Sequence, residues 1–156
     1  MAVEALAPGD FPPANRPIVA ALQLPDHCMI TGEFRDEADF LRRLGVALGR
    51  GVRMVQFRAP GLDTGSYRRL ALEAKARCRE AGATLLLNAS PEVAASIGGV
   101  GLHLNGRRLR ACRRADLESL SGSWIGASCH DLEEVRLAQG LGVDFVSLSP
   151  VQRTAT

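Results

Sequence analysis

Residues 124–149, WIGASCHDLEEVRLAQGLGVDFVSLS, contain two apolar runs with one helical segment between them. Asp131 and Glu134 have the spacing of a capping box, which predicts that a helix begins there, and Gly142 predicts where it ends. Both flanking runs are nearly continuously apolar, as in parallel strands that are covered on both faces. The stretch therefore predicts a strand, a helix and a second strand of a parallel sheet.

The same alternation extends back to Cys28. Six strand-like runs are separated by five helical segments, and the runs are CMIT (28–31), VRMVQFR (52–58), TLLLN (84–88), VGLHL (100–104), WIGASCH (124–130) and VDFVSLS (143–149). This order predicts an α/β protein with parallel strands. Two architectures satisfy it, an open doubly wound sheet and part of an eight-stranded (βα) barrel. No glycine-rich nucleotide fingerprint follows the first run, which favours the barrel.

Helix starts are marked by ordinary signals. Asp36 is the predicted cap of the first helix, and a second helix is expected to open near Ser66. Ser90 followed by Pro91 predicts the start of a third.

Composition limits the class of protein. The 156 residues have a formal net charge of +2, and no apolar run approaches the roughly 20 residues that span a bilayer. The start lacks the pattern of a signal peptide, so we expect a cytoplasmic protein without a membrane partner. Residues 1–25 contain five of the eight prolines and are expected to form an extended lead-in or linker before one domain at residues 26–156. The four cysteines have no C-x-x-C spacing, which predicts reduced core thiols and no metal site.

An arginine-rich segment, RRLRACRR, occupies residues 107–114. It has two interpretations, a site for nucleic acid or a phosphorylated ligand, and a solvated helix face. Because no aromatic residues are interleaved and the total charge is nearly balanced, we expect no nucleic-acid partner.

Polar residues stand at the carboxyl end of nearly every predicted strand. In a parallel sheet these ends lie along one rim, so the side chains are expected to converge. Guanidinium, amide, hydroxyl and imidazole groups together suit an anionic, phosphorylated small molecule. The candidate residues are Gln56, Arg58, Asn88, His103, Ser128, His130, Thr154 and Thr156.

Each candidate also has a structural interpretation. Arg58 is a possible salt-bridge partner, His103 a core histidine satisfied by backbone, and Asn88 a cap for the turn before Ser90. Ser128 and His130 resemble a nucleophile and its base, but spacing on one strand does not establish a hydrogen bond between them, and no third member of a triad is apparent.

Four segments resemble one known family. VQFRAP (55–60), LLLN (85–88), GLHL (101–104) and above all residues 125–156 are similar to the family of thiamine phosphate synthase and thiazole tautomerase (TenI-like). The resemblance covers Cys28 to Thr156 and implies a TIM-type (βα) barrel that is incomplete here, with about six of eight units. The proline-rich start resembles the linker of bacterial proteins in which such a domain follows a Nudix hydrolase.

The resemblance also implies roles for individual residues. Gln56 and Arg58 match positions that bind the pyrimidine and its diphosphate, and Asn88 and Ser128 match further polar contacts. Thr154 and Thr156 match the thiazole-phosphate loop. His130 matches the proton-transfer histidine of the tautomerases and is expected, rather than His103, to be the catalytic residue.

Three positions depart from the family pattern. Pro60 stands where the synthases have a lysine, and Ala89 and Arg108 stand where they have the two aspartates that hold magnesium. Without those carboxylates a magnesium site is not expected, so we predict no cofactor. Three functions stay open: a metal-free tautomerase-like enzyme, a non-catalytic binding or regulatory domain associated with a Nudix hydrolase, and an active thiamine phosphate synthase.

Two further expectations concern the surroundings of His130 and the edges of the sheet. The helix that begins at Asp131 is expected to place unpaired backbone N–H groups near His130, where they favour bound anions. A sheet with open first and sixth strands is expected to self-associate.

Overall fold

The computed structural model describes residues 8–150, in which six parallel strands alternate with helices. The strands are β1 (Cys28–Ile30), β2 (Met54–Phe57), β3 (Thr84–Leu87), β4 (Gly101–Leu104), β5 (Ile125–Cys129) and β6 (Phe145–Leu148). The helices are α1 (Arg16–Gln23), α2 (Glu37–Gly49), α3 (Thr64–Glu80), α4 (Pro91–Ile97), α5 (Gly106–Ala111) and α6 (Leu132–Leu141). Short 3-10 segments occupy Pro8–Asp10, Pro13–Asn15 and Arg114–Leu120.

The strands follow one another in the sheet in their order along the chain, from β1 to β6, and every pair is parallel. A doubly wound sheet reverses its strand order at a switch point, and no reversal occurs among these strands. The sheet is instead curled as part of a (βα) barrel, which confirms the predicted fold class.

The sequence signals for helix starts are largely confirmed. Asp36 accepts a hydrogen bond from the Asp39 N–H at 2.8 Å, as a cap does. The cap of α3 is Asp63, three residues before Ser66, whose N–H it accepts at 3.0 Å. Ser90 does precede α4, but its side chain makes no capping hydrogen bond.

The two faces of the sheet have different surroundings. Residues at alternate strand positions, such as Val55, Phe57 and Leu102, belong to the main core between sheet and helices. The intervening positions lie on the opposite, inner face. Gln56 and His103 are there, and both are buried, with 4% and 2% of their surface exposed.

The expectation of an extended lead-in is wrong for part of residues 1–25. Residues 16–23 form the helix α1, in which Val19 is buried. Proline suits the first turn of a helix, because the N–H that it lacks has no partner there. The proline content was therefore compatible with a helix start as well as with an extended segment.

Two smaller expectations also change. The arginine-rich segment is not one helix, since α5 ends at Ala111 and a 3-10 segment follows. All four cysteines are free, but Cys28 is exposed rather than in the core.

Within residues 8–150, no helix has the length and apolarity needed to cross a membrane.

Candidate functional site

One cleft at the carboxyl ends of β2, β3 and β4 is lined by three arginines and has a volume of about 430 Å³. We call it the arginine cleft. Its polar lining consists of Arg58, Thr64, Tyr67, Asn88, Asn105, Arg107 and Arg108. No acidic residue lines it.

Arg108 is held in the arginine cleft by two asparagines. Its guanidinium Nη1 donates to Asn88 Oδ1 at 2.9 Å. Asn105, the cap of α5, accepts the backbone N–H of Arg108 at 2.9 Å. Asn88 is therefore bonded to an arginine instead of capping the turn before Ser90.

Arg58 is anchored through its backbone. Thr31 Oγ1 accepts the Arg58 N–H at 2.8 Å and donates to the Arg58 carbonyl at 2.9 Å. The ion pairs found within the described part of the chain all use other arginines. Arg58 is therefore not a salt-bridge partner among those residues. Arg107 and Arg108 are likewise outside those ion pairs.

Tyr67 was not among the predicted site residues. Its hydroxyl donates to the Phe57 carbonyl at 3.3 Å. Burial raises the pKa of this phenol, and the charge of Arg108 opposes that effect in part. The group is thus a neutral hydroxyl in the wall of the cleft. Tyr67 lies within α3, so the expectation that site residues stand at strand ends could not identify it.

A second polar group, on the inner face, joins β4, β5 and β6. His103 Nε2 lies 2.9 Å from Ser128 Oγ, and Ser147 Oγ lies 3.4 Å from the same oxygen. The structural interpretation in which backbone satisfies His103 is therefore wrong, since its partner is a side chain. Its other ring nitrogen, Nδ1, is buried without a partner among the described residues. Burial lowers the pKa of His103 to about 4, so the ring is neutral near pH 7.

His130 follows β5, and two contacts hold it. Its ring Nδ1 lies 2.6 Å from the carbonyl oxygen of Ser149, and its backbone N–H donates to Glu134 Oε2 at 2.6 Å. A carbonyl oxygen only accepts, so Nδ1 carries the proton and Nε2 of the neutral ring is an acceptor. Ser128 bonds to His103 and Ser147, so Ser128 and His130 do not form a nucleophile–base pair.

The start of α6 is not the array of unpaired N–H groups that the sequence suggested. Asp131 Oδ1 accepts the Glu134 N–H at 2.8 Å, which is half of the predicted capping box. Glu134 reaches back to the N–H of His130 instead of that of Asp131. Acidic side chains therefore occupy the place where an anion was expected.

The residues at this rim do not fit magnesium. Ala89, which is buried, and Arg108 supply no side-chain oxygen ligand, and a guanidinium repels the ion. Within residues 8–150 no three His, Cys, Asp or Glu residues are grouped as metal ligands. The remaining predicted residues, Thr154 and Thr156, lie outside the described residues.

Comparison with known proteins places the chain in a family. A sequence model of the thiamine monophosphate synthase family matches residues 27–156. The thiamine-phosphate synthase of Chromobacterium violaceum is 33% identical over 126 residues, which are 78% of this chain and 59% of that protein. The thiamine-phosphate synthase of Thiobacillus denitrificans is 34% identical over 119 residues, 76% of this chain and 56% of that protein.

The fold has a solved counterpart. A thiamine phosphate pyrophosphorylase from Pyrococcus furiosus superposes with a TM-score of 0.66 at 21% identity, over 81% of this chain and 60% of that one. The chain thus spans somewhat more than half the length of each of these three proteins.

Proposed function

Because the chain belongs to the thiamine monophosphate synthase family, we propose that it binds a phosphorylated thiazole or pyrimidine at the carboxyl ends of its strands. We further propose that it acts on a thiazole phosphate without a metal, as a thiazole tautomerase does, with His130 as the group that accepts and returns the proton. Gln56, Arg58, Asn88, His103 and Ser128 are the proposed ligand-binding residues, together with Thr154 and Thr156.

The contact between His130 Nδ1 and the Ser149 carbonyl oxygen is the observation on which the catalytic proposal depends. With Nδ1–H donated to Ser149, the neutral ring has its lone pair on Nε2, to which no described residue donates. A general base needs such a free acceptor, positioned by a hydrogen bond on its other nitrogen.

The arginine cleft supports the binding of a phosphate group. Three arginines line one cleft, and no carboxylate residue lines it. Bringing like charges together is unfavourable unless an anion neutralises them, and guanidinium groups match phosphate oxygens well. Since the positive charge is part of the protein, binding of a phosphate here needs no magnesium.

A second candidate is favoured by the exposure of His130. A proton-transfer group usually works in a site from which water is excluded, and this ring is exposed. A domain that binds the phosphorylated ligand without converting it, as a regulatory partner of a Nudix hydrolase, is therefore retained. An active synthase is the third candidate and the least favoured, because Ala89 and Arg108 stand where the synthases have carboxylate ligands for magnesium.

The experiment compares two histidine variants. We expect His130→Asn to abolish hydrogen–deuterium exchange on a thiazole phosphate, measured by NMR, while its affinity for that compound stays within about twofold. The control is His27→Asn, the same change at an exposed histidine before β1, which should leave exchange unaltered. Equal exchange in wild type and His130→Asn would leave the non-catalytic candidate.

A further inference from the structure

Glu134 is a buried carboxylate beside an exposed histidine. It is 0% exposed although it lies in the first turn of a surface helix. Burying a carboxylate is costly unless both oxygens are paired. Its Oε2 accepts the His130 N–H at 2.6 Å, and its Oε1 lies 2.7 Å from Arg110 Nη1.

The space for this carboxylate is provided by Gly106 in α5. A Cβ atom at position 106 would overlap Glu134 Oε1 and lie 3.3 Å from its Cδ. Both atoms belong to a buried side chain whose Oε2 accepts a hydrogen bond and whose Oε1 forms an ion pair with Arg110 without hydrogen-bond geometry, so it has little freedom to move away. Any side chain at 106 would therefore displace the carboxylate.

Arg110 links the two helices. It lies one turn after Gly106 in α5, and besides Glu134 it approaches Asp131 Oδ2 at 3.7 Å. The junction between β5 and α6 is thus connected to α5 through Arg110 and the carboxylates of Glu134 and Asp131. His130 is the residue at that junction.

We propose that Glu134 is a positioning residue for His130, and that Gly106 and Arg110 keep its carboxylate in place. The carboxylate fixes the backbone at His130, and this lets the ring keep its hydrogen bond to the Ser149 carbonyl. Without that bond the Nδ1–H tautomer loses its stabilisation, and Nε2 becomes protonated instead. The importance of this tautomer for chemistry rests on the proposed function, whereas the positioning itself does not.

The test measures the tautomer directly in the full chain without ligand. Long-range ¹H–¹⁵N spectra distinguish Nδ1–H from Nε2–H in the His130 ring. We expect Nδ1–H in wild type and a shift to Nε2–H in Glu134→Ala. Glu134→Gln keeps an oxygen that can accept the His130 N–H and should restore much of the wild-type signature.

Two other variants complete the design. Glu133→Ala makes the same change at the adjacent exposed residue of α6 and should leave the spectrum unaltered. Gly106→Ala displaces the carboxylate without removing it and should reproduce the shift seen in Glu134→Ala.

A folded Glu134→Ala with the wild-type tautomer would overturn the proposal. If Glu134→Ala does not fold, a folded Gly106→Ala with the wild-type tautomer would do so. Proton exchange on a thiazole phosphate is the second readout. We expect kcat to fall about tenfold or more in Glu134→Ala with KM little changed. If wild type shows no exchange while the tautomer shifts as expected, the proposed function fails and the positioning role stands.

Discussion

His103 is a neutral imidazole on the inner face, against the Ser128 hydroxyl and the Phe145 ring. Since its pKa falls to about 4 in the folded chain and is about 6.5 in the unfolded chain, the unfolded chain binds more protons between these values. Stability contributed by the neutral ring is therefore present above pH 6.5 and lost as the pH falls towards 4. Wild type should lose about 2 kcal/mol from this group between pH 7 and pH 5.

Urea unfolding of wild type and His103→Gln at both pH values measures this loss. Carboxylates titrate in both proteins, so the difference between the two pH dependences isolates His103. Parallel pH dependences in the two proteins would show that this histidine is not held neutral by burial.

For single residues, the sequence predicts positions in the sheet better than it predicts hydrogen-bond partners. The position of polar residues at strand ends was enough to expect Gln56 and Ser128 along the same rim of the sheet. The pairing of Asn88 with Arg108, and of Glu134 with His130, depends on where loops and short helices sit after the strands. Those distances are set by packing and have no local sequence signal beyond the caps at Asn105 and Asp131.

The close packing of β4 between its neighbours depends on Gly101. A Cβ atom there would overlap Leu86 of β3 and the carbonyl oxygen of Trp124 before β5. A backbone oxygen in a sheet cannot move aside independently, so we expect Gly101→Ala to lower the free energy of unfolding by about 1–3 kcal/mol.

The matched control is Gly140→Ala in α6, where a Cβ atom meets nothing within 4 Å. An alanine inside a helix should raise stability by about 0.5–1 kcal/mol. Urea denaturation of both variants measures the two changes. A loss of stability in Gly140→Ala as large as that in Gly101→Ala would contradict the steric explanation.

Among the elements, the strands were predictable because each is a short, nearly continuous apolar run, and the helices were expected in the segments between those runs. The starts of α2 and α6 followed from their aspartate caps. Helix α1 was missed because its prolines suggested an extended segment, and α5 was overestimated in length because arginine favours helices without specifying where they stop.

Exposed apolar side chains lie on the two outer strands of the sheet. Ile30 of β1 is 58% exposed, and Val146 and Leu148 of β6 are 39% and 52% exposed. Each of these strands is paired on one side only among the described residues. Such edges favour pairing with another chain, so we expect self-association that increases with protein concentration in light scattering.

Val146→Lys combined with Leu148→Lys should weaken this association. Leu72→Lys on α3, where the side chain is 51% exposed, is the control and should not. A monodisperse monomer of wild type across a wide concentration range would refute this prediction.

For the whole molecule, strand order was the most predictable property. Repeated β–α units with apolar strands allow few topologies, and the sequential parallel sheet is one of them. The binding chemistry was harder to predict. The resemblance indicated that Ala89 and Arg108 replace carboxylates that would bind magnesium. The arginine cleft, in contrast, forms only when three separate loops come together in the fold.

Calorimetry tests whether the arginine cleft binds a phosphorylated ligand without a metal. A thiazole phosphate is titrated into the full chain first in EDTA and then in excess Mg²⁺, with Arg58→Gln as the variant of the arginine cleft. We predict the same affinity within about twofold in the two buffers and weaker binding in Arg58→Gln. Binding that is absent in EDTA and appears only with Mg²⁺ would show that the ligand needs the metal.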